Sequence, residues 1–207
     1  MNSDQRVLYG AEHSGHSHRV RLLLDMLGVA YRFEPVPGER RRAAEFLRLN
    51  ALGQIPVLQE GEIVLADSNA ILVYLALAYD RERRWLPAQP LDAARVQRWL
   101  SIAAGEVRHG PGAARLIAQW GAAGDRSEAL ALARRVLTFM QGHLSRARWL
   151  AGEDATIADL ANYTYIAHAP EGGIELHEFP AVQAWLARVE ALPHFSPMPA
   201  LPHPPRA

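Results

Sequence analysis

The stretch Leu49-Asn50-Ala51-Leu52-Gly53-Gln54-Ile55-Pro56-Val57-Leu58-Gln59-Glu60-Gly61-Glu62-Ile63-Val64-Leu65-Ala66-Asp67-Ser68-Asn69-Ala70-Ile71-Leu72 decides the fold of the first part of this 207-residue chain. Residues 55–58 predict a strand, residues 59–62 a tight turn and residues 63–65 the returning strand, which together make a hairpin. Asp67-Ser68 supplies an N-cap for the helix that follows, with Ile71, Leu72, Tyr74 and Leu75 apolar along it. Pro56 has no N–H, so within this pattern it belongs at an edge or a special bend.

Upstream, residues 6–10 read as a strand ended by Gly10, and residues 11–18 as a polar loop. Val20, Leu23, Leu24 and Leu27 then fall at i, i+3, i+4 and i+7, one face of a helix that Gly28 stops. Residues 31–36 alternate as a strand, residues 37–42 are a charged loop, and residues 43–50 form a short helix around Phe46 and Leu47. The order is β-α-β-α-β-β-α. Its first two strands, joined through a helix, are expected parallel, and its last two antiparallel, in a small mixed four-stranded sheet.

Downstream the pattern changes. Residues 83–91 are charged, then proline-containing, and read as a linker between a first domain over residues 1–82 and an all-helical domain over residues 92–207. Helices are expected from residue 93 to about 107, around 113–120, from 126 to about 147, from Thr156 to about 168 and over 180–192. His109-Gly110-Pro111-Gly112 should break or kink the first of them. Thr156-Ile157-Ala158-Asp159 is a capping box. The tail from Ser196 holds five prolines in twelve residues and is expected to be irregular.

Composition narrows the function. Acids and bases number 22 each, every base is Arg, and neither half is strongly basic, so a general nucleic-acid binder is not expected. Apolar residues are 49% and charged residues 21%, as in globular domains. No apolar run approaches the roughly 18 residues that span a bilayer. The polar N-terminus has no signal-peptide pattern, so a cytoplasmic location is expected. There is no cysteine, hence no disulfide, no Cys-ligated zinc and no Cys nucleophile. Any thiol chemistry must use a thiol brought by a ligand. His13, His16 and His18 are spaced as a metal cluster could be, but they lack a nearby Asp and any Cys, and no metal is expected.

These segments, in this order, resemble the glutathione transferases: a thioredoxin-like N-terminal domain followed by an all-helical C-terminal domain. Leu8-Tyr9-Gly10 with Ser14-Gly15-His16-Ser17-His18-Arg19-Val20-Arg21 is similar to the family's strand, active-site loop and first helix. Residues 49–58 resemble its Asn-Pro-x-Gly-Gln-Val-Pro-Val-Leu segment, and Asp67-Ser68-Asn69-Ala70-Ile71-Leu72 its Glu/Asp-Ser-x-Ala-Ile motif. The nearest resemblance is to bacterial members with a serine-type loop, Ser-Gly-x-Ser. Ala51 stands where the family usually has Pro. His16 stands where related loops have Asn or Cys, so an isomerase activity tied to that Cys is not implied.

The resemblance implies a co-substrate, glutathione, and residues to hold it. Gln54, Ile55 and Pro56 would form its backbone ladder, with a cis peptide before Pro56 and the Ile55 main chain pairing with the cysteinyl unit. Ser68, at a helix start, would take the γ-glutamyl carboxylate, and Asp67 would face the ammonium. Ser14 matches the catalytic serine that stabilises the thiolate, with Ser17 and Tyr9 as rivals and Ser17 the nearer candidate for the helix cap. A free thiol has a pKa near 8.5, and lowering it by about two units needs about 2.7 kcal/mol of differential stabilisation. The glycine carboxylate falls to a loop imidazole or to one of Arg40, Arg41 and Arg42.

His16, Arg108, His109 and Tyr165 are candidates for a second-substrate site between the domains, with Tyr163 and His168 lining it or filling the core. The implied activity is conjugation of glutathione to small hydrophobic electrophiles in detoxification, by a homodimer. Alternatives are a glutathione-dependent disulfide reductase or peroxidase, and a non-catalytic glutathione-fold binding or regulatory protein.

Overall fold

The computed structural model describes residues 6–202; the Met1–Gln5 stretch and the last five residues of the tail lie outside the described residues. The chain divides into two compact units, Met1–Arg83 with Pro193–Pro199 and Arg84–Leu192 with Ala200–Ala207.

The first unit carries β1 (Arg6–Gly10), α1 (Gly15–Met26), β2 (Arg32–Pro35), α2 (Ala44–Leu49), β3 (Val57–Glu60), β4 (Ile63–Ala66) and α3 (Ser68–Tyr79), with a single 3₁₀ turn at Arg40–Arg42. The sheet order is β2-β1-β3-β4, with β1 and β2 parallel and the other pairs antiparallel. This is the thioredoxin-like topology expected. Leu8 pairs with Leu58, and Tyr9 with Val57. Since side chains alternate, Leu8 shares a face with Gly10, where an added Cβ would lie 2.7 Å from Ser17 Oγ of α1. That face carries the buried α1 and α3 residues Val20, Leu23, Leu24, Ile71, Leu72 and Leu75. The other face is a second cluster of Val36, Phe46 and Val57, flanked by Tyr9 and Ile55.

The expected turn at residues 59–62 shrinks to Gly61-Glu62, with β3 running on through Glu60. Glu60 looks like a turn residue but is buried in a network. Arg6 and Tyr79 both donate to its Oε1, and Tyr74 donates to Oε2 at 2.9 Å. Burial pulls the Glu60 carboxyl upward, but the bonds from Tyr79, Arg6 and Tyr74 outweigh it and hold it below its ordinary value.

The second unit is helical: α4 (Pro90–Ile102), a π-helical segment (Ala103–Gly112), α5 (Ala113–Trp120), α6 (Arg126–Leu144), α7 (Ile157–Ala167) and α8 (Pro180–Glu190). α4 begins three residues ahead of the expected start because Pro90 opens it at the position where a missing N–H costs nothing. His109-Gly110-Pro111-Gly112, expected to break or kink the helix, does not break it. The helix widens into π geometry around Pro111 and runs on into α5. At Gly110 an added Cβ would lie 2.8 Å from the Ala133 backbone N of α6, so this turn is pressed against its neighbour. The Thr156–Asp159 capping box forms as read. The tail is irregular over residues 194–202, yet Met198 is buried.

Candidate active site

Two helix starts in the first unit meet. Ser14, not Ser17, caps α1: its Oγ accepts the Ser17 N–H at 3.2 Å. Ser17 lies inside the first turn, fully buried beneath Gly10, and its Oγ accepts the Ala11 N–H at 3.2 Å. This corrects the expectation that Ser17 is the nearer cap. A cap uses the oxygen's lone pair, so the Ser14 hydroxyl keeps its proton to donate. Tyr9 is on the opposite sheet face, edge-on to Phe46, and its hydroxyl donates to Gln59 Oε1 at 3.1 Å.

The Ile55–Pro56 peptide is cis, one step ahead of β3. The loop before it is braced by Asn50, whose Nδ2 donates to the Gln54 carbonyl at 2.9 Å. Asp67 caps α3 from φ 73 and ψ 123, a strained conformation for a side chain with a Cβ, and accepts from the N–H groups of Asn69 at 2.8 Å and Ala70 at 3.0 Å. Ser68 is buried, and no acceptor among the described residues meets its N–H. Its Oγ lies 3.1 Å from His16 Nδ1 and accepts from Arg19 Nη1 at 3.4 Å; Arg19 also donates to Asn69 Oδ1 at 3.0 Å.

Three of these features escaped sequence reasoning. Arg19 is fully buried, although it reads as a surface charge. His16, expected with the second-substrate residues, is on the first turn of α1 against Ser68. The positive φ of Asp67 has no sequence signal, since glycine is the residue that normally marks one.

The remaining candidates are spread out. His18 is buried, and its Nε2–H donates to the Ser196 carbonyl at 2.8 Å, which ties the tail to α1. Arg40 pairs with Glu34 at 2.6 Å, and Arg41 Nε donates to the Val36 carbonyl at 3.1 Å. Hydrogen bonds from Arg40 and Arg32 hold the Glu34 carboxyl below its usual range. Arg108 and His109 are exposed on the π-helical segment. Tyr165 is buried, with its ring 3.5 Å from where a Cβ on Gly112 would stand, and Tyr163 is buried with its hydroxyl donating to Glu190 at 2.9 Å. His168 Nδ1 bonds Glu171 Oε1 at 2.6 Å. Among the described residues, no group of three or more His, Cys, Asp or Glu could hold a metal ion.

Residues 8–83 match the family "Glutathione S-transferase, N-terminal domain", and residues 115–193 match "Glutathione S-transferase, C-terminal domain". Glutathione S-transferase 3 of Zea mays is 33% identical over 96% of this chain and 95% of its own. The chain belongs to the glutathione S-transferase family. A glutathione S-transferase of Pseudomonas fluorescens superposes with a TM-score of 0.87 at 33% identity, covering 94% of this chain and 98% of that one. A glutathione transferase homologue of Drosophila mojavensis, solved with bound glutathione, gives a TM-score of 0.83 at 25% identity, covering 91% and 89%. The protein is therefore a transferase, and its family uses glutathione as co-substrate. Among the described residues no helix is long and apolar enough to cross a membrane.

Proposed function

We propose that this transferase conjugates the sulfur of glutathione to small hydrophobic electrophiles, using Ser14 in a serine-type loop of the bacterial kind to hold the thiolate. The observation that carries this is the Ser14 cap: with Oγ bound to the Ser17 N–H, the hydroxyl is fixed at the start of α1 with its proton free to donate. A sulfur placed there gains a charge-assisted hydrogen bond and the positive end of the helix, both stronger for thiolate than for thiol. The thiol releases its proton to solvent. The sulfur lone pair then forms the new C–S bond, and the leaving group departs with its electron pair.

Binding rests on residues apart from that step. The Ile55 main chain beside cis-Pro56, next to Gln54, takes the cysteinyl unit. The Ser68 hydroxyl and N–H take the γ-glutamyl carboxylate, and the exposed Asp67 carboxylate takes the ammonium. The bound glutathione of the Drosophila mojavensis homologue supports glutathione as the ligand. Arg108 and His109 are proposed for the electrophile, two-fold homodimerisation for assembly, and detoxification in the cytoplasm for the role.

The test is direct. The protein should be retained on immobilised glutathione and turn over a chloronitrobenzene. Turnover of a hydroperoxide with no chloronitrobenzene activity would replace conjugation by the peroxidase reading, and retention with neither activity would leave a binding protein.

A further inference from the structure

We infer that His16 governs the direction of the Ser68 hydroxyl proton, and through it the affinity of the protein for the γ-glutamyl carboxylate. The inference rests on the assignment of Ser68 to that carboxylate.

The geometry is a closed count of donors and acceptors. Ser68 Oγ has one proton and two lone pairs. Arg19 Nη1, always protonated, donates to it at 3.4 Å. His16 Nδ1 lies 3.1 Å away on the first turn of α1. In the neutral ring the proton sits on Nε2, which leaves Nδ1 bare, so Ser68 donates its proton to the ring and has none for a ligand. In the imidazolium Nδ1 also carries a proton, and the ring donates to Oγ. Oγ then accepts from both His16 and Arg19, and its own proton must turn to a third acceptor. A carboxylate at the start of α3 is such an acceptor.

A bound carboxylate therefore favours the Nδ1–H state of His16, and protonation of His16 favours the bound carboxylate. By linkage the two effects are equal. The charged and titratable groups next to His16 in sequence are Glu12 and His13 in the preceding loop and His18 and Arg19 on its own helix; Arg19 meets the same Ser68 Oγ, and Asp67 is the residue before Ser68 at the cap of α3. Because His13 and His18 are also imidazoles, the comparison must be with a His16 variant rather than with pH alone.

His16 is thus a positioning residue. S-methylglutathione is the probe, because its sulfur cannot ionise and its carboxylates and amine do not titrate between about pH 5.5 and 7.5. Calorimetry on the wild-type protein should show affinity rising at least about fivefold from pH 7.5 to 5.5, with proton uptake on binding seen as a dependence on buffer ionisation heat. His16→Asn, which keeps a hydrogen-bonding side chain, should bind with a flat pH profile and less uptake. A wild-type profile as flat as that of His16→Asn, with equal proton uptake, overturns the inference. Ser68→Ala separates this from failure of the underlying assignment. If it binds S-methylglutathione as tightly as wild type, Ser68 does not hold the carboxylate. If it binds weakly while the wild type shows no pH dependence, the assignment stands and only the role of His16 falls.

Discussion

The starts of α3 and α7 use the same device, a short polar side chain over unpaired N–H groups, to opposite ends. At α7, Thr156 Oγ1 accepts the Ala158 N–H at 3.3 Å, and Asp159 Oδ2 accepts the Thr156 N–H at 2.9 Å. Asp159 Oδ1 takes the Leu150 N–H at 3.0 Å and Trp185 Nε1 at 2.9 Å. Burial pushes the Asp159 carboxyl up while these donors pull it back. The carboxylate is fully buried and its bonds stay within the second unit's core. At α3, Asp67 is exposed and bent to φ 73, and beside it Ser68 presents an N–H and a hydroxyl that the fold orients. One cap is closed on the protein and holds it together. The other is strained, and in the proposed function it is left open for an anionic ligand.

The sharpest way to break this contrast is at α7. Asp159→Ala strands three buried N–H donors, from Leu150, Thr156 and Trp185. At about 1–3 kcal/mol for each buried unsatisfied group, the loss should exceed about 3 kcal/mol. The urea midpoint should fall accordingly, while the fraction still native at low temperature keeps its glutathione affinity. A shift under about 1 kcal/mol would show that the α7 cap is not structural.

Ser68→Ala should do the reverse. It removes a hydrogen bond to a charged ligand, about 1.5–3 kcal/mol, so glutathione Kd should rise roughly tenfold to a hundredfold with little change in the urea midpoint. An unchanged Kd by calorimetry would remove Ser68 from the site.

How far this contrast could be read from sequence depends on which interactions are local. The β-α-β-α-β-β-α order followed from periodicity, and the α7 box from four adjacent residues. The choice between Ser14 and Ser17 did not follow, because both are serines in a polar run and the cap depends on the helix starting at Gly15. The π-helical segment through Pro111 reads locally as a break or kink, and the close approach of α6 at Ala133 has no local signal. The tail reads as irregular, yet Ser196 is held by His18 and donates to Asp25 at 2.8 Å, partners more than 170 positions away. The Asp67 backbone and the His16–Ser68 contact are equally non-local. The resemblance supplied residue types for the site, but the arrangement came from tertiary packing.

Ser14→Ala tests the start of α1, which by this comparison is open like α3. Turnover at neutral pH should fall roughly tenfold to a hundredfold, for about 1.4–2.7 kcal/mol of lost thiolate stabilisation. The hydroxyl lowers the thiol pKa by favouring the charged form, so its effect is present below the unperturbed thiol pKa and vanishes above it. Activity should therefore recover toward wild type as pH rises past about 8.5–9. Thiolate absorbance followed against pH gives the shift directly. An unshifted titration would move the role to Ser17 or Tyr9, despite the burial of the one and the sheet face of the other.

The smallest stability effect is expected at Asp67, where two terms oppose. Asp67→Gly removes the acceptor for the Asn69 and Ala70 N–H groups, but glycine at an N-cap costs only a few tenths of a kcal/mol. Glycine also adopts φ 73 without a Cβ clash, relieving about 1–3 kcal/mol of strain, while losing part of that gain to the entropy of its unfolded chain. The net change in unfolding free energy should lie within about 1 kcal/mol of zero. Glutathione affinity should nevertheless fall, since the ammonium loses its carboxylate partner, and the fall should be smaller for an analogue without the α-amino group. If Asp67→Gly instead destabilised the protein by as much as Asp159→Ala, the two caps would be doing the same structural job and the contrast between a closed and an open helix start would fail.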